Sequence, residues 1–362
     1  MKISFVDFKK EWSYFEEKFV AGFKKFGQNG IYVLGPELEQ FEKDFAAYCG
    51  YQYAVGVSTG LSALEINLRA YNISAGDEVI TVPNSAVATA LAISSVGAKP
   101  VFCDIGDNFL MDETKIEKLI TDKTKAILPV HLFGKICNME AINKIAKKHN
   151  LVVIEDACQA HGALFAGESL VNTKAFSFYP TKNLGALGEG GAIVTNDKKV
   201  FDFAVSYRNY GQEGRYNHTI KGVNYRINSL QCVFLNTKLK EMNKFIEKRR
   251  NIAKRYIQEL SSISDLKIND FDDTSAYHLF VIRVLNNKRD ELKKFLSDKE
   301  IDSLIHYPTI IPKQPCYKDE YSGINLEKTD SFQNEILSLP CYPFLTDEEQ
   351  SKIIEKIKEF FK

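Results

Sequence analysis

The sequence lacks any run approaching the roughly 18 consecutive apolar residues that a membrane-spanning helix requires. Its first residues, MKISFVDFKKEW, lack the uninterrupted apolar core of a signal peptide. It also lacks an excess of either charge, because 47 lysines and arginines balance 47 aspartates and glutamates. No overall field therefore favours nucleic acid or an acidic membrane surface. These absences predict a cytoplasmic protein that binds neither membranes nor nucleic acid and holds any anionic ligand with local groups.

Cysteine pairs with the spacing of a metal site are missing as well. The seven cysteines are odd in number and scattered, and none forms a Cys-x-x-Cys pair. They are Cys49, Cys103, Cys137, Cys158, Cys232, Cys316 and Cys341. We therefore expect no disulfide framework, no structural zinc or iron–sulfur site and no bound metal. The pattern is typical of small buried apolar residues in a reducing compartment.

At 362 residues the chain is long enough for two domains with a sizeable core. Its first two-thirds alternate helix-like segments with short, nearly continuous apolar runs. These runs are residues 53–57, 78–82, 100–103, 126–130, 152–154, 175–178 and 192–195. Such runs are typical of strands buried on both faces, so the pattern predicts an α/β fold with a mostly parallel sheet covered by helices.

The last third of the chain has a different pattern. A charged helical stretch over residues 237–260 leads out of the predicted sheet. A strand-like run over residues 278–284 and an amphipathic helix over residues 347–361 follow it. We predict a large α/β domain with an N-terminal arm at residues 1–240 and a smaller C-terminal α+β domain at residues 241–362.

The stretch SFYPTKNLGALGEGG at residues 177–191 places Lys182 between an aromatic run and several glycines. A phosphate-binding loop of the Walker type has its lysine after the glycines, at the start of a helix. Here the lysine precedes the glycines and the strand-like residues 192–195 follow them, so the order excludes a nucleoside-triphosphate loop. By itself the stretch is also compatible with a solvated surface loop.

An acidic residue follows the predicted strand at residues 152–154, in the stretch VVIEDACQAHG. Open α/β sheets bind their ligands at the carboxyl ends of their strands, so Asp156 is placed to contact a ligand. The alternative is a carboxylate that caps the next helix.

In the stretch VGVSTGLSALEINL, at residues 55–68, a predicted strand ends at small and hydroxylic residues, and a predicted helix follows them. The free N–H groups and positive dipole end of such a helix suit a phosphate, although an ordinary N-cap is the alternative. A lysine amine, a carboxylate and this helix start are together the groups needed to hold pyridoxal phosphate. They can bind its aldehyde carbon, its ring nitrogen and its phosphate, respectively.

These stretches, with others in the same order, resemble the sugar-nucleotide aminotransferases of the DegT/DnrJ/EryC1/StrS family, a branch of the fold type I pyridoxal-phosphate enzymes. The resemblance extends over nearly the whole chain. Its motifs are GDEVI at residues 76–80, PVHLFG at 129–134, EDACQAHG at 155–162, the stretch at 176–191, GVNYR at 222–226, YHLF at 277–280 and LSLP at 337–340.

The resemblance implies that Lys182 binds the cofactor covalently, that Asp156 contacts its ring nitrogen and that Gln159 lies near its phenolic oxygen. It also implies a homodimer with shared active sites, since Asn224 matches an asparagine that reaches the phosphate across the subunit interface. The other phosphate-binding positions that it implies are Gly60, Leu61, Ser62 and Ser177.

Several positions depart from the family's pattern. Leu61 stands where many relatives have threonine, so Thr59 or Ser62 would have to supply the phosphate-facing hydroxyl. Ala86 stands where many relatives have an aromatic residue stacked on the cofactor ring, and this small residue resembles the subgroup that aminates carbon 3 of a keto-sugar. The remaining departures are Thr181, Glu189 and Pro312.

The implied reaction takes the amino group of glutamate, releases 2-oxoglutarate and converts a dTDP-linked 3-keto-6-deoxyhexose to a dTDP-3-amino-3,6-dideoxyhexose. A C-4 aminotransferase acting on a UDP-, GDP- or dTDP-linked 4-keto-6-deoxy sugar and a cyclitol aminotransferase are the alternatives. Polar and aromatic residues that suit a pyrophosphate and a nucleobase are candidates for the sugar-nucleotide pocket, each with an ordinary surface role as the alternative. They are Tyr179, Arg215, Tyr216, His218, Lys221 and His306.

Overall fold

The computed structural model describes residues 2–164 and 173–362. Its strands are β1 (Tyr53–Val57), β2 (Glu78–Thr81), β3 (Lys99–Phe102), β4 (Thr124–Ile127), β5 (Val152–Val153), β6 (Glu155–Asp156), β7 (Thr173–Ser177), β8 (Gly191–Thr195), β9 (Leu266–Lys267), β10 (Phe280–Val284) and β11 (Ile336–Leu339). Its α-helices are α1 (Phe8–Asn29), α2 (Pro36–Cys49), α3 (Gly60–Ala70), α4 (Ala88–Ser95), α5 (Glu113–Ile116), α6 (Met139–His149), α7 (Lys198–Tyr207), α8 (Ser229–Leu239), α9 (Met242–Leu260), α10 (Arg289–Asp298), α11 (Glu327–Gln333) and α12 (Asp347–Phe360).

The main sheet has the strand order β3-β2-β4-β5, continued by β6-β7-β8-β1. The two halves are continuous because only Ile154 separates β5 from β6, and Val130 pairs in parallel with Asp156. The neighbouring pairs are parallel except those made by β8, which runs antiparallel to both β1 and β7. The predicted mostly parallel sheet is therefore confirmed, with one reversed strand that the apolar pattern did not predict.

Both faces of this sheet are buried, as the continuous apolar runs predicted. Val55 and Ile193 pack in a core that includes α3, whereas Ala54 and Val194 pack in a second core with residues of α2 and α8. Successive residues of a strand point to opposite faces, so each strand contributes to both cores. This explains why the strands are apolar throughout and confirms the α/β fold class.

The carboxyl edge of the sheet brings together the stretches that the sequence singled out. β1 leads through Ser58 and Thr59 into α3, and β6 ends at Asp156. The loop containing Lys182 joins the end of β7 to the start of β8, which lies at the same edge because β8 is antiparallel. A Cβ at Gly191 would lie 2.2 Å from the carbonyl oxygen of Thr59, so only glycine permits this approach.

The C-terminal residues form a separate core around the antiparallel sheet β11-β10-β9, against which α9, α10 and α12 pack. The N-terminal residue Ile3 joins it by pairing with Ile301. The helix predicted at residues 237–260 is two helices, because the chain breaks at Lys240 and Glu241 between α8 and α9. The predicted domain boundary falls at this break and stays a prediction.

Between α10 and β11 the chain returns to the main sheet. Ile310 and Ile311 pack with Ala90 and Phe102, and the Ile311 N–H donates to the carbonyl oxygen of Pro83 at 2.8 Å. This return places residues 306–307 beside the carboxyl edge of the sheet.

Within the two described ranges, no helix combines the length and apolar character that crossing a membrane requires. The same residues contain no group of three or more histidines, cysteines or carboxylates that could hold a metal ion.

Candidate active site

A cavity of about 600 Å³ opens between the carboxyl edge of the main sheet and the C-terminal core. This volume is in the range of small-molecule and cofactor sites. Its walls include many of the predicted site residues. They are Gly60, Leu61, Asp156, Gln159, Ser177, Tyr179, Lys182 and His306.

Lys182 lies in a tight turn after β7. Its N–H donates to the carbonyl oxygen of Tyr179 at 2.8 Å. A Cβ at Gly185 would lie 2.2 Å from the carbonyl oxygen of Pro180, so only glycine fits at this position of the turn. Burial of the amine lowers the pKa of Lys182, although the nearby Cys158 thiol and the Asp156 carboxylate act in the opposite direction. The solvated-loop alternative is therefore wrong, because the amine lies in a cavity beside a carboxylate.

Asp156 presents its carboxylate to the same cavity from the end of β6. The Thr89 hydroxyl donates to Oδ2 at 2.8 Å, and the Cys158 N–H donates to Oδ1 at 3.1 Å. The neighbouring strand region holds its backbone, since the Asp156 N–H donates to the Pro129 carbonyl oxygen at 2.9 Å. The carboxylate is thus held in one orientation, and it does not cap a helix as the alternative required.

The start of α3 is closed by a reciprocal capping box. The Ser62 N–H donates to Thr59 Oγ1 at 3.0 Å, and the Thr59 N–H donates to Ser62 Oγ at 2.9 Å. Gly60 and Leu61 line the cavity, and their N–H groups have no carbonyl partner within α3 because they belong to its first turn. The backbone therefore offers an anion site here. The Ser62 hydroxyl belongs to this cap and does not line the cavity in a single chain, so its predicted place at the phosphate stays a prediction.

Gln159 is held by contacts at both ends of its amide. Its Oε1 accepts the Phe133 N–H at 2.7 Å, and its Nε2 donates to the Tyr307 hydroxyl at 3.2 Å. Phe133 has a left-handed backbone at this point, with φ of 61°. The pairing fixes which end of the amide is oxygen and turns its nitrogen toward Tyr307.

Five predicted residues do not reach the cavity in a single chain. They lie on the segment 209–226, which folds back on itself through the pairs Gln212 with His218 and Asn209 with Asn224. Tyr216 is 77% exposed and Asn224 is also exposed. The residues of this group are Arg215, Tyr216, His218, Lys221 and Asn224, and their roles stay predictions.

Several cavity residues were missed at the sequence level. Thr89 lies within a stretch in which only Ala86 drew attention, and Tyr307 follows a predicted candidate without a pattern of its own. Arg249 lies in the charged stretch that we predicted only to lead out of the sheet, and its Nη1 donates to the carbonyl oxygens of Tyr277 and His278 at 3.2 Å. Thr89, Tyr307 and Arg249 each contact residues far away in the chain, so a pattern of neighbouring residues could not reveal their place at the cavity.

Three histidines around Lys182 predict a loss of stability in mild acid. Burial, reinforced by the positive charge of Lys182, lowers the pKa of His161 to about 3 and of His306 to about 4, and holds the pKa of His278 well below its usual value. The unfolded chain takes up these protons near pH 6.5, whereas the folded chain does not. Stability is therefore complete above about pH 6.5 and decreases as the pH falls below it.

We expect the free energy of unfolding of the cofactor-free protein to be lower at about pH 5.5 than at about pH 7, by about 1 kcal/mol for each histidine. Urea denaturation at one protein concentration measures this. Carboxylates with unfolded pKa values near 4 change little over this interval, so they do not confuse the result. Equal stability at the two pH values would show that the histidines are protonated in the folded chain.

The chain is similar to proteins of known activity over its whole length. The profile of the DegT/DnrJ/EryC1/StrS aminotransferase family matches residues 14–358. The chain is 40% identical to the dTDP-3-amino-3,6-dideoxy-alpha-D-galactopyranose transaminase of Aneurinibacillus thermoaerophilus, covering 99% of each chain. It is 37% identical to the dTDP-3-amino-3,4,6-trideoxy-alpha-D-glucose transaminase of Streptomyces venezuelae, covering 99% of this chain and 96% of that one.

Solved structures agree with this comparison. The crystal structure of S. venezuelae DesV superimposes with a TM-score of 0.96 at 36% identity, covering 100% of this chain and 99% of that one. The Bacillus subtilis protein NtdA, solved with bound cofactor PMP, superimposes with a TM-score of 0.92 at 33% identity, covering 95% of this chain and 81% of that one.

Proposed function

Because this chain belongs to the DegT/DnrJ/EryC1/StrS aminotransferase family, we propose that it transfers the amino group of glutamate to carbon 3 of a dTDP-linked 3-keto-6-deoxyhexose. The products are 2-oxoglutarate and a dTDP-3-amino-3,6-dideoxyhexose, which serves a surface polysaccharide or a glycosylated natural product. One observation carries the choice of carbon 3: two relatives that match this chain almost end to end are both named as 3-amino-sugar transaminases. It favours carbon 3 over the C-4 and cyclitol alternatives.

The cavity fits pyridoxal phosphate, the cofactor in this proposal. The N–H groups of Gly60 and Leu61 would hold its phosphate at the positive end of α3, beside Ser177. A Cβ at Gly60 would lie 2.7 Å from the Cβ of Ser177 and would fill this space. Asp156 would contact the ring nitrogen, and Lys182 the aldehyde carbon. When bound, the cofactor supplies an electron-accepting ring and a carbon that carries the amino group between substrates.

Lys182 is the acid and base of the proposed reaction. Its lowered pKa leaves more of the amine neutral near pH 7, as a base requires. Its Nζ takes the α-proton of glutamate, and in the second half-reaction it returns a proton to carbon 3 of the sugar. Asp156 would hold a proton at the ring nitrogen of the bound cofactor, and Gln159 would lie near its phenolic oxygen.

A homodimer with shared active sites is part of the proposal. In a single chain Asn224 is exposed and outside the cavity, although the Ser58 N–H donates to the neighbouring Tyr225 carbonyl oxygen at 2.8 Å. Exposed apolar side chains on the same chain offer a surface for a second subunit. They include Ile31, Tyr32, Val33, Val87, Leu91, Leu187 and Tyr210. A second copy would cover them and bring its own Asn224 to the phosphate.

The sugar nucleotide enters past Tyr179 and His306, which line the cavity. Tyr179 is about half exposed, at 48%, so its ring is available to an incoming base. In the proposed dimer the exposed segment 209–226 of the second subunit would supply Arg215, Lys221 and their neighbours to the pyrophosphate. We place the enzyme in the cytoplasm, where reducing conditions keep its free cysteines as thiols.

Spectroscopy of the two half-reactions tests this function. The protein is loaded with pyridoxal phosphate, and glutamate is added while the visible absorption of the lysine-bound cofactor is followed. Purified dTDP-3-keto and dTDP-4-keto 6-deoxyhexoses are then offered separately to the aminated enzyme. We expect glutamate to remove the visible band and the 3-keto sugar to restore it.

Recovery with the 4-keto sugar alone would move the site of amination to carbon 4 and leave the cofactor and donor in place. Failure of the loaded protein to develop any visible band would refute the role of Lys182 and the proposal with it. An exposed-lysine variant, Lys198→Ala, is the control for nonspecific binding of the aldehyde, because Lys198 pairs with Asp202 on the surface of α7.

A further inference from the structure

We infer that Thr89 and Ser85 form a hydroxyl relay that positions Asp156 and sets how firmly the ring nitrogen of the bound cofactor keeps its proton. The inference rests on the proposed function, because it concerns the partner of that nitrogen. Thr89 would be a positioning residue, acting on the cofactor through Asp156.

The relay is a chain of short contacts in a buried place. Thr89 Oγ1 lies 2.8 Å from Asp156 Oδ2, and Ser85 Oγ lies 3.0 Å from Thr89 Oγ1. Thr89, Ser85 and Asp156 are 1%, 3% and 4% exposed. The alternative acceptor for the Ser85 hydroxyl, the carbonyl oxygen of Ala86, is farther away at 3.2 Å.

The Asp156 carboxylate determines which atom donates in each hydrogen bond of the relay. An ionised carboxylate only accepts hydrogen bonds, so the single hydroxyl proton of Thr89 must point to Asp156. The Thr89 oxygen is then free to accept from Ser85. Aligned hydroxyls polarise one another, so the second hydroxyl strengthens the bond that the first donates to the carboxylate.

The relay is attached to rigid elements. Thr89 lies in the first turn of α4, whose neighbouring residues Ala90, Ala92 and Ile93 are fully buried, and Asp156 ends β6 in the centre of the main sheet. These elements fix the separation of hydroxyl and carboxylate, as accurate positioning of a functional group requires.

The consequence for Asp156 concerns both its orientation and the hydrogen bonds that stabilise its charge. The carboxylate has about four acceptor positions, of which Thr89 and the Cys158 N–H occupy one on each oxygen, leaving acceptor positions for a group in the cavity. A hydrogen bond donated to a carboxylate stabilises its charged form. Without the Thr89 hydroxyl, the carboxylate would lose a donor that stabilises its charge, and the shared proton would move from the ring nitrogen toward it. The ring would then be a weaker electron acceptor.

Thr89→Val tests this, because valine keeps the shape of threonine and removes the hydroxyl. The variant is loaded with pyridoxal phosphate labelled with ¹⁵N in the ring, and the nitrogen chemical shift is recorded by NMR as a function of pH. We expect the shift to move toward that of an unprotonated ring, kcat to fall about tenfold and KM for glutamate to change little. Thr89→Ser, which keeps the hydroxyl, is expected to restore both the shift and kcat.

Thr81→Val is the matched control. Thr81 is also fully buried, but its hydroxyl donates to the carbonyl oxygen of Leu128 at 2.9 Å within the sheet. Loss of this bond lowers stability without reaching Asp156, so we expect the ring-nitrogen shift of wild type. A merely structural role for Thr89 would make the two valine variants alike.

A wild-type shift and wild-type kcat in Thr89→Val would overturn the inference. If that variant fails to fold, Ser85→Ala gives the answer, because it removes only the outer hydroxyl. We expect it to move the shift in the same direction by a smaller amount, and no movement would overturn the relay. Failure of the wild-type protein to bind the labelled cofactor would instead refute the proposed function, so the two failures are distinguishable.

Discussion

Lys182→Ala is expected to abolish transamination, with kcat reduced by more than about 10⁴-fold, because one side chain supplies both the covalent attachment and the proton transfers. Reduction of the cofactor-loaded protein with borohydride, followed by peptide mass spectrometry, measures the attachment separately from turnover. Wild type should carry the cofactor's mass on the peptide containing Lys182, and the variant should carry none.

The variant should remain folded. The Lys182 N–H donates to the Tyr179 carbonyl oxygen, a hydrogen bond that alanine retains, and the substitution removes an amine that burial has already made costly to charge. Lys182→Arg is the control for charge, because its guanidinium stays protonated and cannot act as the base. Appreciable turnover in either variant would contradict the assignment.

The same variant examines the shared site. In a mixed dimer of Lys182→Ala with Asn224→Ala, one site has its own Lys182 and receives Asn224 from the other subunit. If each single variant is inactive, as the proposal expects, random reassociation of the two proteins should restore about a quarter of wild-type activity. If Asn224 served the site of its own subunit, every site in the mixture would carry one defect and activity would not return.

Glu155→Ala is expected to lower the free energy of unfolding by about 3–5 kcal/mol, since it breaks a buried ionic cluster by removing one partner. Glu155 Oε2 lies 2.6 Å from His131 Nε2 and 3.0 Å from Lys174 Nζ, and all three side chains are at most 2% exposed. Burial alone would raise the pKa of Glu155, but the bonds from His131 and Lys174 hold it below its usual value. The carboxylate therefore stays charged beside two buried donors.

The orientation of His131 supports this interpretation. The Cys137 N–H donates to His131 Nδ1 at 3.2 Å, so that nitrogen accepts and Nε2 carries the proton given to Glu155. Replacement of Glu155 leaves the Lys174 ammonium in the protein interior without the carboxylate that compensates its burial.

Urea denaturation measures the loss, and Glu117→Ala is the matched control. Glu117 pairs with Lys148 at 2.7 Å, but both side chains are exposed to solvent, where an ion pair contributes only about 0–1 kcal/mol. Losses of similar size in the two variants would show that burial of the Glu155 cluster adds nothing. A near-wild-type result for Glu155→Gln would show that hydrogen bonding rather than charge holds the cluster.

Local features of the chain were predictable because local patterns encode them. Each of the seven apolar runs became a strand within about three residues, since strands buried on both faces are apolar throughout. The capping residues before α3 and the glycines after Lys182 were also visible, because turns and caps require particular residues in a short span. The helix at residues 237–260 was less well predicted, because the break at Lys240 and Glu241 has no glycine or proline to mark it.

By itself, the sequence determined the fold class and the family to which the chain belongs, and it singled out a lysine, a carboxylate and a helix start whose roles stay predictions. Only the tertiary structure decided which side chains form hydrogen bonds with the residues of the candidate site. Thr89 contacts Asp156 across 67 positions of the chain, and Tyr307 contacts Gln159 across 148. It also decided that Ser62 caps a helix and that segment 209–226 stays outside the cavity of its own chain. Such contacts depend on how helices and strands pack. A pattern of neighbouring residues does not determine which residues far apart in the chain come into contact.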